Sequence, residues 1–164
     1  MDARLIALKL SLEELNIEFD ISTIENRVLI QKAVYFGQVA GTDIGYRFNW
    51  DQKGPYSGDL ASDYHTLAND ISLGDKEYEN KELQEPRKED LHRIRSLMHV
   101  PDNVKLEQWD WLELLASLHY LKRVTGLSEE DSAQKIKKDK KSLFKYVSEA
   151  ITQLKNYPSL KYSD

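Results

Sequence analysis

Apolar residues recur at intervals of three and four along most of the chain, which is the spacing of side chains on one face of an α-helix. The first example is Leu5, Leu8, Leu12 and Leu15, which predict an amphipathic first helix. Further helices are predicted over residues 23–40, from Ser57 to about Gly74, over residues 87–99 and 108–125, from Ser128 onward, and in a last segment that ends before Pro158. The pattern therefore predicts a mainly α-helical bundle of six or seven helices.

One short stretch departs from the helical spacing. Residues 46–50 (YRFNW) alternate in a way that predicts a short, half-buried strand. Gly54 and Pro55 then force a turn, because proline fixes its own backbone angle and restricts that of the preceding residue. Ser57 is a natural N-cap for the next helix. We therefore expect a small antiparallel β element after the second helix.

The most apolar helix is predicted over residues 108–125 (QWDWLELLASLHYLKRVT). Because it is apolar around most of its circumference, we expect it at the centre of the bundle. No composition shift divides the chain, so residues 1–164 are predicted to form a single domain, with residues 157–164 as a frayed tail.

Composition narrows the function classes. The chain has no cysteine, which excludes disulfides, thiol catalysis and cysteine metal sites. Its net charge of -5 argues against a general affinity for nucleic acid. The N-terminal residues carry acidic side chains and lack a signal-peptide pattern, and no apolar run approaches the length of a membrane span. We therefore expect a cytoplasmic protein without a membrane partner.

Three motifs occur in order: residues 29–36 (LIQKAVYF), 45–48 (GYRF) and 54–57 (GPYS), followed by 112–121 (LELLASLHYL) in the apolar helix. Together they resemble the uncharacterised YwgA-like family over roughly residues 23–125, and more distantly the Panacea (SocA-like) antitoxin domain. The Panacea turn is usually Gly-Pro-Val, whereas this chain has Gly-Pro-Tyr-Ser. The resemblance implies a defence-associated regulator that neutralises a toxin or acts as an adaptor by binding protein.

Aromatic and polar residues concentrate around the predicted strand and turn, which suggests a surface for binding another protein. Aromatic and arginine side chains are common anchors of such surfaces. The alternative interpretation is that the same residues shape the corner between strand and helix and fill the core. The candidate contact residues are Gln31, Tyr35, Arg47, Trp50, Tyr56 and Ser57.

A lysine-rich run suggests a second class of function. Lys137, Lys141 and Lys145 are spaced to share one helical face, where they would contact phosphates of nucleic acid. With the short hairpin as a wing, this gives a winged-helix-like DNA-binding regulator as an alternative. A solvated charged face is the competing interpretation.

The remaining candidates concern catalysis and metals. Arg87 with His92, and Arg93 with His99, match the loose Arg–His spacing of a HEPN-like ribonuclease, in which His would be the acid–base group. Asp59 and Asp63, at i and i+4, are candidate metal ligands, but the nearby His65 does not share their helix face. His119, in the apolar helix, is interpreted as a hydrogen-bonded core histidine. We therefore expect no catalytic residue, no metal and no cofactor, and favour the protein-binding regulator.

Overall fold

Helix α5 (Gln108–Arg123) forms the centre of the fold, in a computed structural model that describes residues 1–163. Every residue from Trp111 to Leu121 in this helix is buried. A helix can be buried on all sides only when other elements surround it. The prediction of a central helix is confirmed.

Seven further α-helices and one two-stranded antiparallel sheet occur among residues 1–163. They are α1 (Ala3–Glu14), α2 (Ile24–Val39), β1 (Asn49–Asp51), β2 (Gly54–Tyr56), α3 (Gly58–Ser72), α4 (Glu85–Ile94), α6 (Glu129–Asp139), α7 (Lys141–Phe144) and α8 (Val147–Lys155), with 3-10 turns at Glu77–Asn80, Arg95–Met98 and Pro158–Leu160. Helices α2, α6 and α8 and strand β2 pack directly against α5. The predicted mainly α fold, with its small antiparallel element after the second helix, is confirmed.

The helix starts follow local capping chemistry. The side chains of Asp2, Thr23, Ser57 and Ser128 each accept a hydrogen bond from a backbone amide in the first turn of the helix that follows. The predicted caps at Ser57 and Ser128 are thus confirmed.

The strand prediction for residues 46–50 is wrong by three residues, since β1 begins at Asn49. The backbone of the preceding segment is satisfied by a side chain instead. Gln38 on α2 accepts hydrogen bonds from the amides of Ile44 and Tyr46 and donates one to the Tyr46 carbonyl. A backbone already paired in this way has no need of a neighbouring strand.

The lysine-rich run is not one helix, and this is why the helix count exceeds the prediction. Lys140 has non-helical backbone angles (φ -140°, ψ 56°) and separates α6 from α7. A second break separates α7 from α8 at Lys145 and Tyr146. Lys137 lies on α6, Lys141 on α7 and Lys145 beyond it, so the prediction that they share one continuous helical face is wrong.

The frayed-tail prediction is wrong for residues 157–163, and Asp164 lies outside the described residues. Leu160 and Tyr162 are each 1% exposed. The Leu160 carbonyl accepts a hydrogen bond from His119 Nε2, and the Tyr162 carbonyl accepts one from Lys122 Nζ. The tail therefore closes one side of α5. Among the residues that the structure describes, none of the helices combines the length and apolar character that crossing a membrane requires.

Candidate functional site

The β1–β2 hairpin is a short element, with three residues in each strand. Its register pairs Asn49 with Tyr56, Trp50 with Pro55 and Asp51 with Gly54. An isolated two-stranded hairpin is marginally stable in water at best. The contacts that hold this one come from buried polar side chains on the surrounding helices.

Gln31 on α2 holds the end of the hairpin. Its amide donates to the Ser57 carbonyl at 2.9 Å and accepts from the Ser57 amide, also at 2.9 Å. Both residues are buried, with 1% and 0% of their surface exposed. Gln31 therefore completes the backbone hydrogen bonding where the strand passes into α3.

Lys32, the next residue on α2, is fully buried and donates from Nζ to the Pro55 carbonyl at 2.7 Å. Burial lowers the pKa of Lys32 from 10.5 to about 7, an effect that the negative charge of Glu113 partly offsets. An ammonium group has three N–H donors, and among the described residues Nζ has this single acceptor. The site thus contains a lysine that loses its proton far more readily than a surface lysine does.

Lys140 holds the tip of the hairpin from the other side. Its Nζ donates to the Gln52 carbonyl and lies 2.8 Å from Glu113 Oε2 on α5. The Lys140 and Glu113 side chains are only 7% and 6% exposed. The pair is therefore a buried salt bridge, whose separation into single charges costs much more than that of a surface pair. The backbone leaves the helical conformation at Lys140, and the side chain of this residue points toward the turn.

Gly54 fits directly onto α5. It has a positive φ of +87°, and a Cβ built on it would lie 2.4 Å from Ser117 Oγ. Glycine is the residue that tolerates both the left-handed backbone and the close approach. Strand β2 is therefore in direct contact with the central helix at Gly54.

Trp50 is the aromatic centre of the hairpin and is half-buried. Its ring lies 5.9 Å from the Tyr120 ring, measured between centroids, and Lys140 Nζ lies 5.7 Å from its centroid. Lys135 Nζ lies over the same ring at 5.9 Å. One part of the indole is therefore packed in these cation–π contacts, and the rest stays in contact with solvent.

The six predicted contact residues fall into two groups. Those that are enclosed by the protein and cannot be touched by a partner are Gln31, Tyr35 and Ser57. Those that keep exposed surface are Arg47, Trp50 and Tyr56. The assignment of the first three as contact residues therefore needs correction: they support the surface from inside, as the alternative interpretation held.

Tyr35 and His119 form an internal pair. The Tyr35 hydroxyl is 2.7 Å from His119 Nδ1, and His119 Nε2 is 2.8 Å from the Leu160 carbonyl. A carbonyl oxygen only accepts, so Nε2 carries the proton and Nδ1 accepts from the tyrosine. Burial lowers the pKa of His119 to about 4 and raises that of Tyr35. His119 is the hydrogen-bonded core histidine that the sequence indicated.

The Arg–His spacings do not converge on one site. His92 bonds to Glu14 and Arg93 pairs with Asp90 at 3.0 Å, so each is engaged with a carboxylate. His99 follows the 3-10 turn at Arg95–Met98 and does not share a helix with Arg93. His92 and Arg95 meet at Glu14 Oε2, so the histidine–arginine pair that the fold does bring together is bound to a carboxylate of the protein itself.

The metal candidates are also dispersed. One oxygen of Asp63 accepts hydrogen bonds from Arg4 Nε at 2.8 Å and from the Tyr46 hydroxyl at 2.7 Å. Asp59 and His65 are exposed. Across residues 1–163, no three His, Asp or Glu side chains are grouped as metal ligands.

Sequence reasoning missed Glu113 and Lys140 as members of the site, and it left open whether Lys32 faces solvent or supports the backbone near the turn. A charged residue in a helix normally faces solvent, so nothing in the local pattern marks these three as buried. The one available signal was their position: Lys32 lies on the apolar side of α2, and Glu113 lies inside the most apolar helix. A charge at such a place requires a partner.

Comparison with protein-family models, with curated proteins and with solved structures finds no match to this chain.

Proposed function

We propose that this protein is a non-enzymatic regulator or adaptor that binds another protein around its hairpin, through Arg47, Trp50 and Tyr56, which we call the hairpin surface. Because the register places Trp50 and Tyr56 on opposite faces of the hairpin, the partner would contact both faces. The observation that carries the proposal is that buried side chains hold the hairpin backbone while Arg47, Trp50 and Tyr56 keep exposed surface. The contacts are those of Gln31 with Ser57, of Lys32 with Pro55 and of Lys140 with Gln52.

Holding the hairpin in this way requires charged side chains to be buried, which costs free energy. Burying a lysine or a salt bridge is often neutral or unfavourable compared with apolar residues of the same volume. A surface that is already ordered loses less entropy when a partner binds, and this increases affinity. Trp, Tyr and Arg are also the residues most often found at the energetic centre of protein interfaces. The fixed hairpin is thus suited to recognition.

The resemblance of the LIQKAVYF and GPYS motifs to YwgA-like and Panacea-like proteins favours an antitoxin-like form of this proposal. In that form the partner is a toxin or another defence-associated protein. The protein would act in the cytoplasm, where a cysteine-free chain suits a reducing environment.

Site-specific photocrosslinking in the native host tests the proposal. A photoreactive residue in place of Arg47 should give one adduct of defined mass, whereas the same residue in place of Glu130, exposed on α6, should not. Trp50→Ala and Tyr56→Ala should remove the adduct while the circular dichroism spectrum stays native. Identical adducts from both positions would refute the proposal. If both alanine variants unfold, these side chains belong to the core and the hairpin surface is wrongly assigned.

DNA binding is the second candidate, because Lys140 joins the hairpin tip to the lysine-rich α6–α7 segment. The hairpin and the exposed Lys137, Lys141 and Lys145 would then form one basic and aromatic surface. Replacing the three lysines with Gln should lower the slope of log K against log salt by about three, since each phosphate contact contributes about 0.9. Salt-independent or absent DNA binding would eliminate this candidate.

A further inference from the structure

A small cavity lies between the N-terminal half of α2 and the tip of the hairpin. It has a volume of about 190 Å³, and Tyr64 of α3 contributes to its wall. At about 30 Å³ for each water molecule of the liquid, this is room for roughly six waters. A ligand of this volume is comparable to one aromatic ring carrying one small polar group.

The charged residues around this cavity are mainly positive, whereas the protein as a whole is negatively charged. Arg27, Lys32 and Lys53 line it, with Asp51 as the single acidic residue, whereas the chain carries a net charge of -5. Arg27 donates from Nη1 to the Ile21 carbonyl at 2.7 Å. A guanidinium group has five N–H donors, so Arg27 retains donors for an anion.

The rest of the wall is apolar or aromatic. Val28 and the rings of Tyr56 and Tyr64 contribute to it, and at its edge Ile24 has 60% of its surface exposed. Small-molecule sites are typically lined by apolar and aromatic side chains with a few polar groups that fix the ligand's orientation. The cavity therefore offers an apolar wall and a cationic wall to the same small molecule.

We propose that this cavity binds a small organic carboxylate, in which an apolar or aromatic body packs on Tyr56 and Tyr64 and the carboxylate faces Arg27 and Lys53. The carboxylate belongs either to a free small acid or to the end of a peptide, since the chemistry recognised is the same. The cavity shares Tyr56 with the hairpin surface, but the inference does not rest on the proposed protein-binding function.

Lys32, which forms part of the cavity wall, also favours the binding of an anion. Burial lowers its pKa to about 7, and the negative charges of Glu113 and Asp51 offset only part of this effect. An anion in the cavity would favour the ammonium form. The Lys32 side chain would then add attraction without direct contact with the ligand.

An NMR titration of the full chain with phenylacetate tests the proposal. Phenylacetamide is the matched neutral probe, and a dipeptide ending in phenylalanine tests a peptide carboxylate as the source. We expect saturable shifts at Ile24, Val28 and Tyr56 with phenylacetate. The neutral amide should bind at least about tenfold more weakly, as expected for loss of charge-assisted hydrogen bonds. Tighter binding of the dipeptide than of phenylacetate would identify the peptide terminus as the source, and the reverse would identify the free acid.

Two variants separate the charges of the cavity from its shape. The double variant Arg27→Gln/Lys53→Gln should weaken phenylacetate binding at least about tenfold. The control Arg123→Gln removes an exposed arginine that does not line the cavity and should leave binding unchanged. If the double variant fails to fold, Lys53→Gln and the amide comparison still decide. Equal binding of acid and amide, or no saturable shift at millimolar probe, would overturn the proposal.

Discussion

Gly54 and Ser117 are in such close contact that a single added methyl group cannot fit between them. A Cβ on Gly54 would lie 2.4 Å from Ser117 Oγ and 3.6 Å from Ser117 Cβ. Ser117 is fully buried on the central helix, so it cannot move aside into solvent. This contact fixes the depth at which the hairpin sits on α5.

Gly54→Ala should therefore destabilise the protein, and Gly74→Ala is its matched control. Both glycines have a positive φ, +87° and +92°, but a Cβ on Gly74 meets nothing within 4 Å. Gly74→Ala should cost about 1 kcal/mol of unfolding free energy from backbone strain alone. Gly54→Ala should cost at least about 1 kcal/mol more, because it adds the steric contact. Urea denaturation measures both, and equal losses would show that the hairpin does not press on α5.

The buried salt bridge can be tested against an exposed one of the same length. Lys140–Glu113 and Lys135–Asp139 both have N–O distances of 2.8 Å, but the side chains are 7% and 6% exposed in the first pair and 38% and 37% in the second. Lys140→Met should cost about 3–5 kcal/mol, because it leaves Glu113 buried without a partner. Lys135→Met should cost about 0–1 kcal/mol.

A double variant separates the salt bridge from simple packing. Glu113→Leu in the Lys140→Met background removes both charges and should recover most of the lost unfolding free energy. A double-mutant cycle by chemical denaturation gives the coupling between the two residues. Additive losses would contradict the assignment of a coupled buried pair.

Lys32 should make stability increase with pH above neutrality. Its pKa is about 7 in the folded protein and near 10.5 in the unfolded chain. Between these values the unfolded chain binds the proton and the folded protein does not, so the unfolding free energy rises with pH by an amount of the order of a few kcal/mol. Lys32→Met should abolish this rise, as measured by urea denaturation from neutral pH to about pH 9.5.

The quantity to compare is the difference in unfolding free energy between wild type and Lys32→Met at each pH, because both proteins contain the same tyrosines. Burial raises the pKa of Tyr46, so its ionisation in the unfolded chain acts in the opposite direction at higher pH. This effect cancels when wild type and Lys32→Met are subtracted. Parallel pH profiles would mean that Lys32 keeps an ordinary pKa.

His119 should be neutral, with its proton on Nε2, throughout the physiological pH range. Its pKa is about 4 when folded and near 6.5 when unfolded, so stability should fall as pH falls through this window. Tyr35→Phe removes the donor to Nδ1 and should raise the pKa of His119, since that hydrogen bond favours the neutral ring.

Long-range ¹H–¹⁵N NMR of the imidazole rings measures both the tautomer and the titration. The signals of the exposed His65 and His99 serve as internal references that the Tyr35→Phe change should leave unaltered. A protonated Nδ1 on His119 at neutral pH, or an unchanged pKa in Tyr35→Phe, would contradict the geometry of the pair.

The helices and their caps could be predicted from sequence because both depend on local spacing. Ser57 illustrates this, since its role needs only the residues that follow it. Burial of Lys32 and Lys140 could not be predicted, because it depends on which distant backbone carbonyls the fold places beside them. The ordered tail was missed for the same reason: Leu160 and Tyr162 are two isolated residues whose packing site on α5 exists only in the folded chain.

The proposed recognition requires a hairpin that is rigid before any partner binds, because buried helix side chains hold it. Backbone ¹⁵N relaxation of the free protein, at the amides of residues 49–54, measures this rigidity. We expect order parameters near 0.85, equal to those of the central helix. Values below about 0.6 would contradict it, because a flexible hairpin would not present Trp50 as a fixed surface.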